Sequence, residues 1–187
     1  MIIINGRFQP FHNGHLQLLD KVRDMYPNQS ICIAVIKNHS LFNSDNEFDK
    51  CVEKQFIEGR NPFSSSQTLE MINSVIKKRG YEKVFVNLIP KPSELMWPII
   101  EALFDEERTW IIPKLSEDPN DWENLKANFY ESMNDKVVRI NIDKKINATD
   151  IRQAINEQRY DIVKKYVPLE VYKEIKEILK KQKNNTL

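Results

Sequence analysis

Two histidines three residues apart, His12 and His15, lie beside Arg7 within the opening stretch MIIINGRFQPFHNGHL. Imidazole N–H groups and a guanidinium are donors suited to phosphate oxygens. Gly6 and Gly14 bracket the group, and a glycine lets backbone approach a ligand closely. The stretch reads as strand, turn and helix start. An apolar run from Met1 to Ile4 is followed by a polar turn, then by an apolar-periodic segment from Leu16. That is where α/β proteins hold phosphate, on backbone N–H groups at the positive end of a helix. A structural role is open to the same residues: His12 as a helix cap, His15 packed under the sheet, Gly6 ending a strand and Gly14 in a tight turn. Metal binding is a further alternative, although no third ligand of suitable spacing is nearby.

A second set lies in KINATDIRQAI, Lys145 to Ile155. Asn147, Thr149 or Asp150 can cap a helix, which puts Arg152 within about its first turn. Backbone N–H groups, the Thr149 hydroxyl and the Arg152 guanidinium are all able to face an anion there. Taken alone, the pattern fits an ordinary capped surface helix better. Both sets follow strand-like runs, and in a doubly wound sheet such turns share the carboxyl edge. The prediction is one cationic cradle, built from the two ends of the chain, for a triphosphate.

The elements that must position these residues are legible as alternating patterns. Strand-length apolar runs occur at Met1–Ile4, Ile31–Ile36, Lys83–Ile89, Thr109–Ile112 and Lys136–Ile142. Helical stripes lie between them. Leu16, Leu19 and Val22 open the first, widened by Leu18 and Met25. Leu69, Ile72, Val75 and Ile76 mark the second, after cap-forming Ser64–Ser66. Leu95, Ile99, Ile100, Leu103 and Phe104 mark a third, and Trp122, Leu125, Phe129 and Met133 a fourth. Ile151, Ala154 and Ile155 open a fifth; Val171, Ile175, Ile178 and Leu179 mark a sixth. Such alternation predicts an α/β fold: a single domain over 1–187, a Rossmann-like doubly wound parallel sheet of about five strands, and a C-terminal helical segment. Asn38–Arg60 breaks the pattern and reads as a solvated loop, a substrate lid or an oligomer contact.

Composition narrows the function class. Apolar content of 41% and charged content of 29% are those of an ordinary globular domain. A net charge of +1 gives no reason to expect a nucleic-acid partner. Cys32 falls in an apolar run and reads as a small buried hydrophobe; Cys51 is remote from it, and neither has zinc-ligand spacing. With no disulfide framework, signal-peptide pattern or membrane-length apolar window, a cytoplasmic location is the expectation, with no membrane partner.

GRFQPFHNGHL, Gly6 to Leu16, resembles the HxGH signature of the nucleotidylyltransferase superfamily. INATDIR, Ile146 to Arg152, is similar to its second motif, I-S-x-T-x-I-R. Within the superfamily the first motif resembles the archaeal-type nicotinamide mononucleotide adenylyltransferases and the adenylyltransferase half of bacterial fusions with a Nudix hydrolase. NPFSSSQTLEMI, Asn61 to Ile72, is similar to a further segment of that group. Asn147 stands where serine is usual, Gln67 and Thr68 replace an acid–arginine pair, and the insert at Asn38–Arg60 is unlike the compact archaeal enzymes.

The resemblance implies adenylyl transfer from ATP, with Mg2+, to a phosphorylated acceptor, nicotinamide mononucleotide first. Other enzymes of this fold, of the phosphopantetheine adenylyltransferase or cytidylyltransferase kind, and a non-catalytic nucleotide sensor are the alternatives. It implies His12, His15 and Arg152 as catalytic donors. Gly6, Arg7, Phe8, Gly14, Asn147 and Thr149 would bind the nucleotide; Lys37, Asn38 and Trp97 would bind the acceptor. Trp97 has a second reading as a core residue, and Phe8 as an anchor of the turn. Homo-oligomers are common in the superfamily, so one is expected here.

Overall fold

A computed structural model describes residues 1–37, 61–114, 117–142 and 146–184. Five strands form one parallel sheet: β1 (Ile2–Gly6), β2 (Ile31–Ile36), β3 (Val84–Ile89), β4 (Thr109–Lys114) and β5 (Lys136–Asn141), in the order β3-β2-β1-β4-β5. The helices among the described residues are α1 (Asn13–Met25), α2 (Ser65–Arg79), α3 (Trp97–Leu103), α4 (Trp122–Ser132), α5 (Ala148–Asn156), α6 (Tyr160–Tyr166) and α7 (Leu169–Asn184).

Alternation along the inner strands divides the core in two. Ile2, Ile4, Ile31, Ile33 and Val35 face α1, α2 and the C-terminal helices. Ile3, Cys32, Ala34, Ile36, Trp110 and Ile112 face α3 and α4. Burial on both faces explains why these strands read as continuous apolar runs. Helix α1 anchors with Leu16, Leu18, Leu19 and Val22; each such side chain contributes roughly 1.5–3 kcal/mol when fully buried. Ser64 caps α2 in a reciprocal arrangement with Gln67, and Gly80 ends it at φ 64 in the left-handed region.

Pro113 lies inside β4, where a missing N–H would normally break a ladder. Thr109 N–H donates to the Met1 carbonyl just before β1, so the N–H side of alternate residues faces that strand. Pairing of β4 with β1 stops at Ile111, while pairing with β5 continues to Lys114. Pro113 therefore falls where β1 no longer asks for a donor.

Three expectations change. Helix α3 begins only at Trp97, with Pro98 in its first turn. Trp97, Ile100 and Phe104 are buried, whereas Leu95, Ile99 and Leu103 are exposed, because the shorter helix turns a different stripe inward. Met25, assigned to the buried face of α1, is also exposed. The C-terminal segment holds α6 as well as the two expected helices; Gln158 at φ 58 supplies the turn before it. Cys32 is fully buried and its thiol is pushed up to about 12 by burial, which makes it inert at neutral pH. No described helix is long and apolar enough to cross a membrane. The Asn38–Arg60 insert, with Asn38, lies outside the described residues.

Candidate active site

The strand order reverses between β1 and β4, and the crevice at such a reversal is where open α/β sheets bind ligands. A cavity of about 230 Å³ lies there, lined by Gly6, Arg7, Phe8, His12, Gly14, His15 and Arg152 among others. The two ends of the chain do converge. A larger hollow of about 560 Å³ opens at the opposite, amino edge near Arg23, Tyr26 and Lys83. Its lining lacks the clustered histidine and arginine donors of the crevice.

His12 is the N-cap of α1, and its Nδ1 accepts the Gly14 N–H at 3.1 Å. His15 Nδ1 in turn accepts the His12 N–H at 3.2 Å. The helix-capping role and the cavity-facing role are therefore held by the same rings. Because both Nδ1 atoms act as acceptors, each neutral imidazole carries its proton on Nε2. Both rings stay neutral at pH 7. Burial, then the nearby Arg152, lowers His12 to about 4. Burial, then His12 and Lys126, holds His15 well below the usual histidine range. The rings stack with centroids 3.6 Å apart.

The turn that presents them is strained. Phe8 adopts φ 52, costly for a bulky side chain. Its ring lies against the Gly6 backbone, where an added Cβ would come within 3.2 Å, and meets His15 edge-on at 4.9 Å. Phe8 is buried and anchors the turn while also lining the cavity. At Gly14 a Cβ would meet the His12 ring at 3.1 Å. The close approach that Gly14 permits is thus to an imidazole.

Arg152 is buried on α5 and points back across the crevice. One nitrogen donates to the Gln9 carbonyl at 2.9 Å and another to Thr149 Oγ1 at 3.0 Å. Arg7 donates to Asn61 Oδ1 at 3.2 Å. The Gln9 carboxamide bonds Phe63 N–H, the Phe63 carbonyl and Thr68 Oγ1, which ties the turn to the Asn61–Ile72 segment.

Other expected residues take different places. Asn147 caps α5 by accepting the Thr149 N–H, and both are exposed beside the cavity, outside its lining. Thr149 acts on the site by holding Arg152. Lys37 is exposed at the end of β2 and does not line the cavity. Trp97 is core: it is 5% exposed and packs against Trp110, Phe129 and Tyr130. Its frame in the short helix α3 turns it into the apolar layer, which corrects its assignment to the acceptor. Asn5, Trp122, Glu123 and Lys126 line the cavity without having been singled out for it. The apolar spacing in α4 pointed to Leu125 and Met133, whereas the buried set is Lys126, Ala127, Phe129 and Tyr130. A Glu–Lys pair at i,i+3 looks like solvated surface in a sequence, so no signal marked it. No group of three or more His, Cys, Asp or Glu suited to a metal occurs among the described residues.

The chain is 28% identical over 181 residues to the nicotinamide-nucleotide adenylyltransferase of Thermococcus sibiricus, covering 92% of this chain and 81% of that one. It is 28% identical over 180 residues to the enzyme of the same name from Pyrococcus horikoshii, covering 91% and 81%. Solved structures share the fold at lower identity. Thermotoga maritima TmcAL bound with alpha-thio ATP matches with TM-score 0.62 and 11% identity, over 96% of this chain and 56% of that one. A putative nicotinate-nucleotide adenylyltransferase from Vibrio parahaemolyticus matches with TM-score 0.60 and 14% identity, over 93% and 96%. A bifunctional NMN adenylyltransferase/ADP ribose pyrophosphatase from Francisella tularensis matches with TM-score 0.53 and 19% identity, over 83% of this chain and 41% of its own length. Residues 3–185 match the model of the cytidylyltransferase-like family, and the chain belongs to that family of nucleotidyltransferases.

Proposed function

We propose that the protein transfers the adenylyl group of ATP to the phosphate of nicotinamide mononucleotide, giving NAD and pyrophosphate. The observation that carries this reading is the junction of His12, His15 and Arg152 around one cavity, with both imidazoles held neutral and protonated on Nε2. The archaeal relatives favour this acceptor.

An acceptor phosphate oxygen attacks the α-phosphorus, the bond to the bridging oxygen breaks, and pyrophosphate leaves with that electron pair. The nucleophile is already anionic, so no general base is needed. Catalysis reduces to alignment and to stabilising charge on phosphoryl oxygens. His12 and His15 donate from Nε2–H to the triphosphate. Arg152, aimed by Thr149 and the Gln9 carbonyl, neutralises the departing pyrophosphate, and Arg7 supports it. Mg2+ belongs to this proposal as a companion of the triphosphate, neutralising its charge. It would travel with the nucleotide rather than occupy a dedicated protein cage.

Purified protein with ATP, Mg2+ and nicotinamide mononucleotide should release pyrophosphate and NAD in equal amounts. A panel adding nicotinate mononucleotide, phosphopantetheine and CTP with phosphocholine fixes the acceptor. Pyrophosphate only with another pair replaces the substrate assignment. Tight nucleotide binding with no turnover on any pair identifies a sensor.

A further inference from the structure

The cavity is not uniformly cationic. Arg7, His12, His15 and Arg152 supply donors, but α4 brings a different chemistry. Glu123 is the one carboxylate among the described residues that line the cavity. Lys126 Nζ lies 2.6 Å from Glu123 Oε2, and only 3% of the lysine side chain is exposed against 16% of the glutamate. Both line the cavity; the acid is the more exposed of the two, and the lysine is its counter-charge.

Asn5, at the end of β1, lines the same cavity. Its Nδ2 donates to the Tyr130 hydroxyl, while its buried Oδ1 has no hydrogen-bond partner. Burial, and next the Glu123 charge, pushes the Tyr130 phenol well above its ordinary value, so Glu123 and Asn5 act on one hydroxyl. Both acceptors line the same cavity. A phosphate gains little beside Glu123, since the carboxylate offsets the attraction of Lys126. A group bearing N–H donors gains both contacts, and a buried acceptor left unmatched is costly. Trp122, Pro113, Ile142 and Ile146 supply apolar lining to the same cavity, which suits a flat ring.

We propose that Glu123, steadied by Lys126 and joined by Asn5 Oδ1, selects a planar base carrying an –NH2 group and rejects the same ring carrying a carbonyl or carboxylate at that position. This rests on the nucleotide reading above and deepens it. Two sources present the required group: the exocyclic amine of the nucleoside triphosphate (adenine or cytosine) and the carboxamide of the acceptor.

The full-length protein with Mg2+ is assayed on matched pairs: ATP against ITP and CTP against UTP with a fixed acceptor, and nicotinamide against nicotinate mononucleotide with ATP. One source should show a preference for the –NH2 member of about 10²-fold or more in kcat/KM. Glu123→Gln should compress that preference at least about tenfold and leave the other source's ratio unchanged. Inhibition by inorganic tripolyphosphate should stay within about twofold, because the donor end is intact. Ratios within about threefold for every pair overturn the proposal, and this reading of the wild type decides even if the variant does not fold. A common loss on all substrates in Glu123→Gln also overturns it. If no pair turns over, the enzymatic reading alone fails. The same pairs are then ranked by calorimetric binding, under the same criterion.

Discussion

Acidification probes the electrostatics on which the site depends. His12 is lowered to about 4 by burial and by Arg152, whereas in an unfolded chain it titrates near about 6.5. Between those values the unfolded chain binds a proton that the folded chain refuses. Stability is therefore full above about pH 6.5, falls as the pH drops, and levels off below about pH 4. Taken at pH 5 relative to pH 7.5, the difference is about 2 kcal/mol for His12 alone. His15 is displaced in the same direction and adds to it. With a urea slope of about 2 kcal/mol/M, the unfolding midpoint moves by about 1 M. Carboxylates also respond to acid, so the informative comparison is with His12→Asn, which keeps a capping oxygen and cannot titrate. Wild type should lose about 1 M more of its midpoint between pH 7.5 and 5 than the variant does. Equal losses would mean that His12 keeps an ordinary titration in the fold, and the account of its burial beside Arg152 would fail.

Three substitutions probe the rest of the site. His15→Ala should lower turnover by about 10²–10³. It should also lower stability by about 1 kcal/mol in a thermal melt, because the His12 N–H loses its acceptor; full turnover would remove His15 from the chemistry. Gln9→Ala strands the Phe63 backbone groups and Thr68 Oγ1, so urea denaturation should show a loss of about 2–4 kcal/mol. A loss below about 0.5 kcal/mol would show that this latch is absent. Gly14→Ala puts a methyl 3.1 Å from the His12 ring. Turnover should fall about tenfold while circular dichroism stays native, since a small displacement of an aligned group is enough; wild-type rates would show that the ring position does not matter.

The five strands were legible because inner strands buried on both faces cannot hide their apolar runs, and β1, β2 and β4 are of that kind. The convergence of His12, His15, Arg7 and Arg152 on one cavity was legible because two short stretches after strands concentrate unusual residues. Lys126 and Glu123 were not, because only tertiary packing distinguishes a buried i,i+3 ion pair from a solvated one. Trp97 was misassigned for a related reason. A tryptophan near a strand exit suits a ligand or a core equally, and the frame of a seven-residue helix behind Pro98 decided it. Asn147 and Thr149 were located correctly as a helix start, yet their side chains are spent on the cap and on Arg152.

Gln9 meets Phe63 and Thr68 through its side chain and Arg152 through its carbonyl. One residue thereby fastens together three portions of polypeptide drawn from the beginning, the middle and the final third of the chain. No fragment ending before α5 can complete the pocket, however well its strands assemble. Competence for ligand accordingly requires that these distant parts of the chain have docked.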